Sequence, residues 1–167
     1  MQVAVVHGYF LGDSGSGVYV RHLTRALMAE GHNVTLLCQE REPERYDFID
    51  SVFDLDESNT TLLPVGEPCP PRGSGSCRLV RPNLGGRLLV YVDGPFAGFD
   101  RSAIKTFQDA PDDWIGTHIA ANVAALRTAF ARWAPDVVLA QHAIMQPYVV
   151  REALGGRASY VVTTHGS

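Results

Sequence analysis

The feature that most limits what this chain can fold into is its opening stretch, residues 3–38, where an apolar β-rich run, a helical stripe and a second β-rich run follow in order. Residues 3–6 (VAVV) end at His7-Gly8. A long turn, YFLGDSGSG, leads to a helix predicted over residues 18–30. On it Val20, Leu23 and Leu27 share one face, with Ala26 beside them and Arg21 and Arg25 outward. Gly31 supplies the stop, since only glycine takes the left-handed conformation without steric cost. Residues 34–38 then read as a second strand. Strand, helix and strand in this rhythm make a parallel βαβ unit.

The same rhythm returns near the end. Asp112 and Asp113 suit a helix start, and Ile119, Val123, Leu126, Phe130 and Trp133 form one buried stripe. Ala134-Pro135 ends that helix, because proline cannot continue the hydrogen-bond ladder. Residues 137–140 form a strand running into Gln141-His142, and Pro147 introduces a short helix through Val150 and Leu154, stopped by Gly155-Gly156. Residues 160–163 form a last strand, running into 164–167. The expected fold class is α/β: a Rossmann-like three-layer α/β/α domain with a mostly parallel sheet. It is read as a single domain over residues 1–167, with an irregular excursion over about 41–110.

Within that excursion, residues 62–65 read as a strand and residues 67–87 as a surface segment rich in Pro, Gly, Ser and Arg. Residues 78–81 and 88–92 are expected to pair as a hairpin around Asn83-Leu84-Gly85-Gly86. Arg72, Arg78, Arg81 and Arg87 make the segment locally basic; a solvated loop is the preferred reading, and a surface for an anionic acceptor the sharper one. Asp54-Leu55-Asp56 resembles a metal-binding carboxylate pair but sits in a polar, irregular stretch, so it too reads as a solvated loop.

Composition narrows the function classes. With 167 residues, 46% of them hydrophobic and 19% charged, the chain can bury one good core. Its net charge of -4 argues against a nucleic-acid partner. A phosphate could still sit at a helix amino end, which needs no net positive charge. The start, MQVAVVHGYF, lacks the basic region of a signal peptide, and no apolar run approaches membrane-spanning length. Cys38, Cys69 and Cys77 have no metal-ligand spacing, and a reducing cytoplasm is the simplest setting. Oxidation of Cys69 with Cys77 across the PPRGSGS loop is an outside alternative.

Three strands run into a histidine: His7, His142 and His165. In an open parallel sheet, ligands bind beyond the carboxyl ends of the strands, so all three should gather at one edge. A three-histidine metal site is not expected, because the rings need not converge and no acid adjoins them as an orienting partner. Gly12, Gly15 and Gly17 precede the first helix, where backbone N–H groups could approach a phosphate or sugar oxygen. Their G-x-x-G-x-G spacing is neither the dinucleotide fingerprint nor a P-loop. Glu40, just past the second strand, stands about where a dehydrogenase places its ribose-binding acid. A nicotinamide-dependent oxidoreductase domain is therefore a runner-up, although no Tyr-x-x-x-Lys pair is present.

HGYFLGDSGSGVYVRHLTRALMAEGHNVTLL resembles the opening of family-four, GT-B-fold glycosyltransferases, with their Gly-rich loop, helix and "GH-x-V" turn into the second strand. APDVVLAQHA resembles their "P-D-V-V-x-x-H" strand and VVTTHGS their "T-x-H-G" strand; residues 41–116 match only loosely. The resemblance implies the amino-terminal, acceptor-side domain of an enzyme that moves a sugar from a nucleotide diphosphate donor, with retention and without a metal cofactor. It also implies that Gly15, Ser16 and Gly17 face the donor, that His165 holds the transferred sugar as the catalytic position, and that His142 lies near a sugar or small-molecule acceptor. His7 joins it on the acceptor side. A separate donor-nucleotide domain would supply the groups that neutralise the leaving diphosphate, so this chain alone is expected to be inactive. Inverting relatives of the same architecture use a histidine just after the first strand as general base, which makes His7 the candidate in that alternative.

Overall fold

The computed structural model describes residues 1–12, 14–70, 73–91, 100–156 and 159–165. Arg72, Val92, Gly166 and Ser167, which figure in the sequence expectations, lie outside the described residues. The opening unit is β1 (Gln2–Val6), α1 (Gly15–Ala29) and β2 (Asn33–Leu37). β1 and β2 are parallel, with Val3 beside Val34 and Val6 beside Leu37. Alternation along β1 sends Val3 and Val5 into the core that holds Val20 of α1, and Ala4 and Val6 into the opposite core.

α1 starts earlier than its apolar stripe indicates, because Ser14 caps it: its hydroxyl accepts from the N–H of Gly17 at 3.0 Å. Gly15, Ser16 and Gly17 are therefore the first turn of the helix and not part of the preceding loop. The buried face is Gly17, Val20 and Thr24, while Leu23 is half-buried and Ala26 exposed. Gly17 lies against the loop backbone on this same face. Gly31 ends the unit at φ +79, as expected of that glycine.

The remaining elements are β3 (Ser51–Leu55), β4 (Leu62–Val65), β5 (Ser76–Arg81), β6 (Leu88–Val90), β7 (Ile104–Thr106), α2 (Asp112–Arg132), β8 (Val137–Gln141), α3 (Gln146–Leu154) and β9 (Tyr160–Thr163). Seven strands make one sheet in the order β4-β3-β5-β2-β1-β8-β9, parallel except for β4. α1 packs on one face with Val34, Leu36 and Leu79, and α2 and α3 pack on the other with Val80, Val138 and Ala140. This is the expected α/β/α sandwich.

The middle of the chain departs from expectation. The hairpin of residues 78–81 with 88–92 does not form. β5 instead lies inside the main sheet between β2 and β3, and β6 pairs in parallel with β7 in a separate two-stranded sheet. Cys77, Leu79 and Val80 of β5 are fully buried, which a surface excursion would not achieve. The sequence signals no strand over residues 51–55, yet β3 forms there. Asp54 stands opposite Arg81 in the parallel register, and two hydrogen bonds of 2.6 and 3.0 Å join carboxylate to guanidinium. That pairing lets an aspartate occupy a strand that its charge alone argues against. Arg78 is spent in a similar way, donating to Gln2 and Thr35 while its guanidinium lies 4.9 Å from the Trp133 ring centre. Arg87 packs at 4.8 Å over Trp114. Arg78 and Arg81 therefore belong to a sheet strand and not to a solvated loop, whereas Arg87 is exposed in the turn before β6, as the solvated-loop reading expects.

Candidate functional site

The strand order β5-β2-β1-β8-β9 places the reversal of chain direction across the sheet between β1 and β8. Ligand crevices in such sheets open at the carboxyl ends of the strands flanking that switch point. His7 directly follows β1, His142 directly follows β8, and His165 lies just past β9. The sheet brings the three together: ring centres are 5.4 Å apart from His7 to His142, nearly stacked, and 5.0 Å from His142 to His165, edge to face.

Main-chain bonds hold them there. The His7 N–H donates to the Leu37 carbonyl at 3.0 Å, and the His142 N–H to the Thr163 carbonyl at 2.9 Å. His142 has φ 71, a left-handed conformation uncommon outside glycine, which turns the chain sharply off β8. Gly8, also left-handed, leaves the space that Gln146 fills: a Cβ there would lie 2.0 Å from the Gln146 Nε2.

The rings are desolvated. Burial, then the neighbouring His142 and His165, hold His7 down to about 3 despite an opposing hydrogen bond to the Phe10 carbonyl. Burial and then His165 lower His142 to about 4, and burial also lowers His165. All three imidazoles are neutral at pH 7. His7 is fully buried, whereas His142 and His165 keep part of their surface exposed.

Aromatic and amide side chains complete the crest. Tyr9 meets His142 edge-on at 5.2 Å, Tyr91 lies 5.4 Å from His142, and Tyr19 of α1 lies 5.1 Å from His165. The Tyr91 hydroxyl donates to the Ile144 carbonyl at 2.5 Å. Gln141 is fully buried, with its Oε1 2.9 Å from the His165 Nε2. Buried polar atoms without a hydrogen-bond partner among the described residues concentrate here: His7 Nδ1, Gln141 Nε2, His142 Nε2 and Gln146 Oε1. Such atoms are costly unless something pairs with them, and their gathering at the switch point makes this crest the candidate site, although they are closed to solvent here.

Tyr9, Tyr19, Tyr91, Gln141 and Gln146 join the site without being singled out by the sequence motifs. Only Gln141, next to His142 in the strand motif, carried a local signal; Tyr91 reaches the crest from the small β6–β7 sheet. Among the described residues, no group of His, Cys, Asp or Glu is arranged to hold a metal ion. Glu40, the possible ribose acid, is 5% exposed, and its oxygens accept from three backbone N–H groups and the Tyr46 hydroxyl. A cleft of about 720 Å³ lies along the same sheet edge toward β3, lined by Gln39, Arg41, Asp54, Asp56, Arg81 and Asn83 among others. The Gln39 N–H donates to the Tyr9 carbonyl at 2.8 Å, so cleft and crest share a wall.

Fold and crest define a Rossmann-like domain with a cluster of neutral polar groups at its switch point, beside a Gly-rich helix start. The family model of a glycosyl transferase 4-like domain matches residues 14–167, and the chain belongs to that family. No curated protein and no solved structure matches it. Among the described residues no helix is long and apolar enough to cross a membrane.

Proposed function

We propose that this chain is the acceptor-side wall of a glycosyltransferase that moves a sugar from a nucleotide diphosphate donor to a hydroxyl, with retention and without a metal ion. The observation that carries this reading is the row of neutral imidazoles, His7, His142 and His165, at the switch point with unpaired polar atoms around them. Neutral donors and acceptors suit sugar hydroxyls. Tyr19 ties His165 to α1, which supports grouping His165 with Gly15, Ser16 and Gly17 on the donor side and His142 with His7 on the acceptor side. The cleft toward β3 offers room for the remainder of an acceptor.

Among the described residues the crest brings no positive charge to a leaving diphosphate, and electrostatic stabilisation of that charge is usually the largest catalytic contribution. The chain by itself is therefore inactive in this reading. The inverting alternative asks His7 to act as general base, which requires a pKa near the working pH. A fully buried ring held at about 3 is poorly suited to that task. The nicotinamide alternative loses its ribose acid to the loop contacts of Glu40. Three free cysteines fit a reducing compartment such as the cytoplasm.

Calorimetric titration of the chain with alkyl glycosides and with nucleoside diphosphates tests the reading. Glycoside binding that His142→Ala weakens at least tenfold is expected. Tight nucleotide binding by this chain, or sugar transfer by it alone, refutes the acceptor-side assignment.

A further inference from the structure

Glu40 follows β2 and faces the loop between β1 and α1. Its Oε2 accepts from the Leu11 N–H at 2.9 Å and from the Tyr46 hydroxyl at 3.3 Å, and its Oε1 accepts from the N–H groups of Arg41 and Glu42 at 3.0 Å each. The Leu11 N–H belongs to the same planar peptide unit as the Phe10 carbonyl. That carbonyl oxygen lies 3.0 Å from the His7 Nε2. A carbonyl oxygen only accepts, so Nε2 carries the proton of the neutral ring. Nδ1 is then a bare lone pair, buried and without a partner among the described residues.

One rigid peptide thus stands between a buried carboxylate and an imidazole. In a trans peptide the N–H and C=O point to opposite sides, so a carboxylate that fixes the N–H also aims the carbonyl. Pulling on the N–H further makes the carbonyl a better acceptor, because linked hydrogen bonds polarise one another. The surroundings leave this peptide little freedom. Leu11 is fully buried, and Gly17 sits so near that a Cβ on it would lie 3.0 Å from the Phe10 oxygen.

We propose that Glu40 is a positioning residue for His7: acting through the Phe10–Leu11 peptide, it fixes the Nε2–H tautomer and presents Nδ1 as a hydrogen-bond acceptor at the switch point. Nδ1 is fully buried, so a ligand reaches it only when a covering side chain moves, and what then satisfies it must be a donor, such as the O–H of a sugar or alcohol. An ionised phosphate or carboxylate oxygen cannot serve. This last step rests on the sugar-binding reading of the crest; the tautomer does not.

Long-range proton–nitrogen NMR spectra of the histidine rings in the intact chain test it. The expected pattern for His7 at pH 7 is an unprotonated Nδ1 and a slowly exchanging Nε2–H, with trans-hydrogen-bond couplings from Nε2 to the Phe10 carbonyl carbon and from the Leu11 nitrogen to the Glu40 carboxylate carbon. Glu40→Gln should mix the two tautomers. Tyr46→Phe, which removes a different donor from the same carboxylate, should leave the His7 pattern intact. A predominant Nδ1–H tautomer, the absence of either coupling, or a folded Glu40→Gln variant with an unchanged His7 overturns the proposal. The couplings decide it in the unsubstituted chain even if Glu40→Gln does not fold. Adding methyl α-glucoside should move the His7 or His142 ring nitrogens, while inorganic sulfate, which carries no O–H at pH 7, should not. If the tautomer stands and the glycoside moves nothing, the sugar-binding reading fails and the role of Glu40 remains.

Discussion

Replacing Gly17 by alanine separates two opposing effects whose sizes the structure fixes. Helix propensity favours alanine over glycine by about 0.8–1.0 kcal/mol in a helix interior, and by less in a first turn. Against this, a Cβ on Gly17 would stand 2.8 Å from the Gly12 oxygen, 3.0 Å from the Phe10 oxygen and 3.1 Å from the Leu11 carbonyl carbon. All three are backbone atoms and cannot rotate away as a side-chain tip would. Either α1 or the loop must move, and forced overpacking of this kind costs about 1–3 kcal/mol. If the loop yields, the Leu11 N–H also loosens from Glu40, a hydrogen bond to a charged group worth about 1.5–3 kcal/mol. The net expectation for Gly17→Ala is a destabilisation of about 0.5–2.5 kcal/mol if α1 shifts and about 2–5.5 kcal/mol if the loop yields. Gly15, two residues earlier in the same turn, has nothing within 4 Å of its Cβ position, so Gly15→Ala should change stability by less than about 0.5 kcal/mol. Urea unfolding at pH 7, followed by the fluorescence of Trp114 and Trp133, reads both. Equal stability of Gly17→Ala and the parent, or equal losses from the two substitutions, would refute the argument that backbone contact at Gly17 sets the loop.

Two further outcomes follow from the buried groups. His7 is lowered to about 3 and His118, by burial on α2, to about 4, so the folded state keeps both rings neutral where the unfolded chain protonates them. Their contribution is fully present above the ordinary histidine pKa and is lost as pH falls below it toward the folded values. Between pH 6 and 5 the two together should lower stability by about 2–3 kcal/mol per pH unit; urea midpoints that stay flat from pH 7 to 5 would contradict the burial argument. Among the thiols, Cys38 is buried and pushed up to about 12, Cys77 is buried and also pushed up, and Cys69 is exposed. A thiol-reactive dye should label Cys69 rapidly in the native protein and the other two only on unfolding. Rapid labelling of two or three thiols would show that β2 and β5 are not packed as described.

The sequence by itself determined the parts of this protein whose signals are local. Val20 and Leu27 recur at helical spacing, Gly31 ends a helix, Ile119 to Trp133 mark a long stripe, and three short apolar runs lead into His7, His142 and His165. Each can be read within about a dozen residues because helix periodicity, capping and strand alternation are short-range effects. Those motifs also carried the family. Only the tertiary structure decided what depends on distant partners. Asp54 belongs to a strand because Arg81 neutralises it across the sheet, and Arg78 is not a free cation because Gln2, Thr35 and Trp133 receive it. β5 lies in the core because helices cover both its faces, a fact absent from a segment flanked by Pro, Gly and Ser. The histidines were legible as strand ends, but their chemistry was not. Their neutrality comes from burial and from one another, Tyr91 reaches His142 from a separate small sheet, and the acid that sequence places beside a ribose instead holds the loop at His7. Solvation and cross-strand pairing are properties of the packed sheet, and no stretch of chain records them alone.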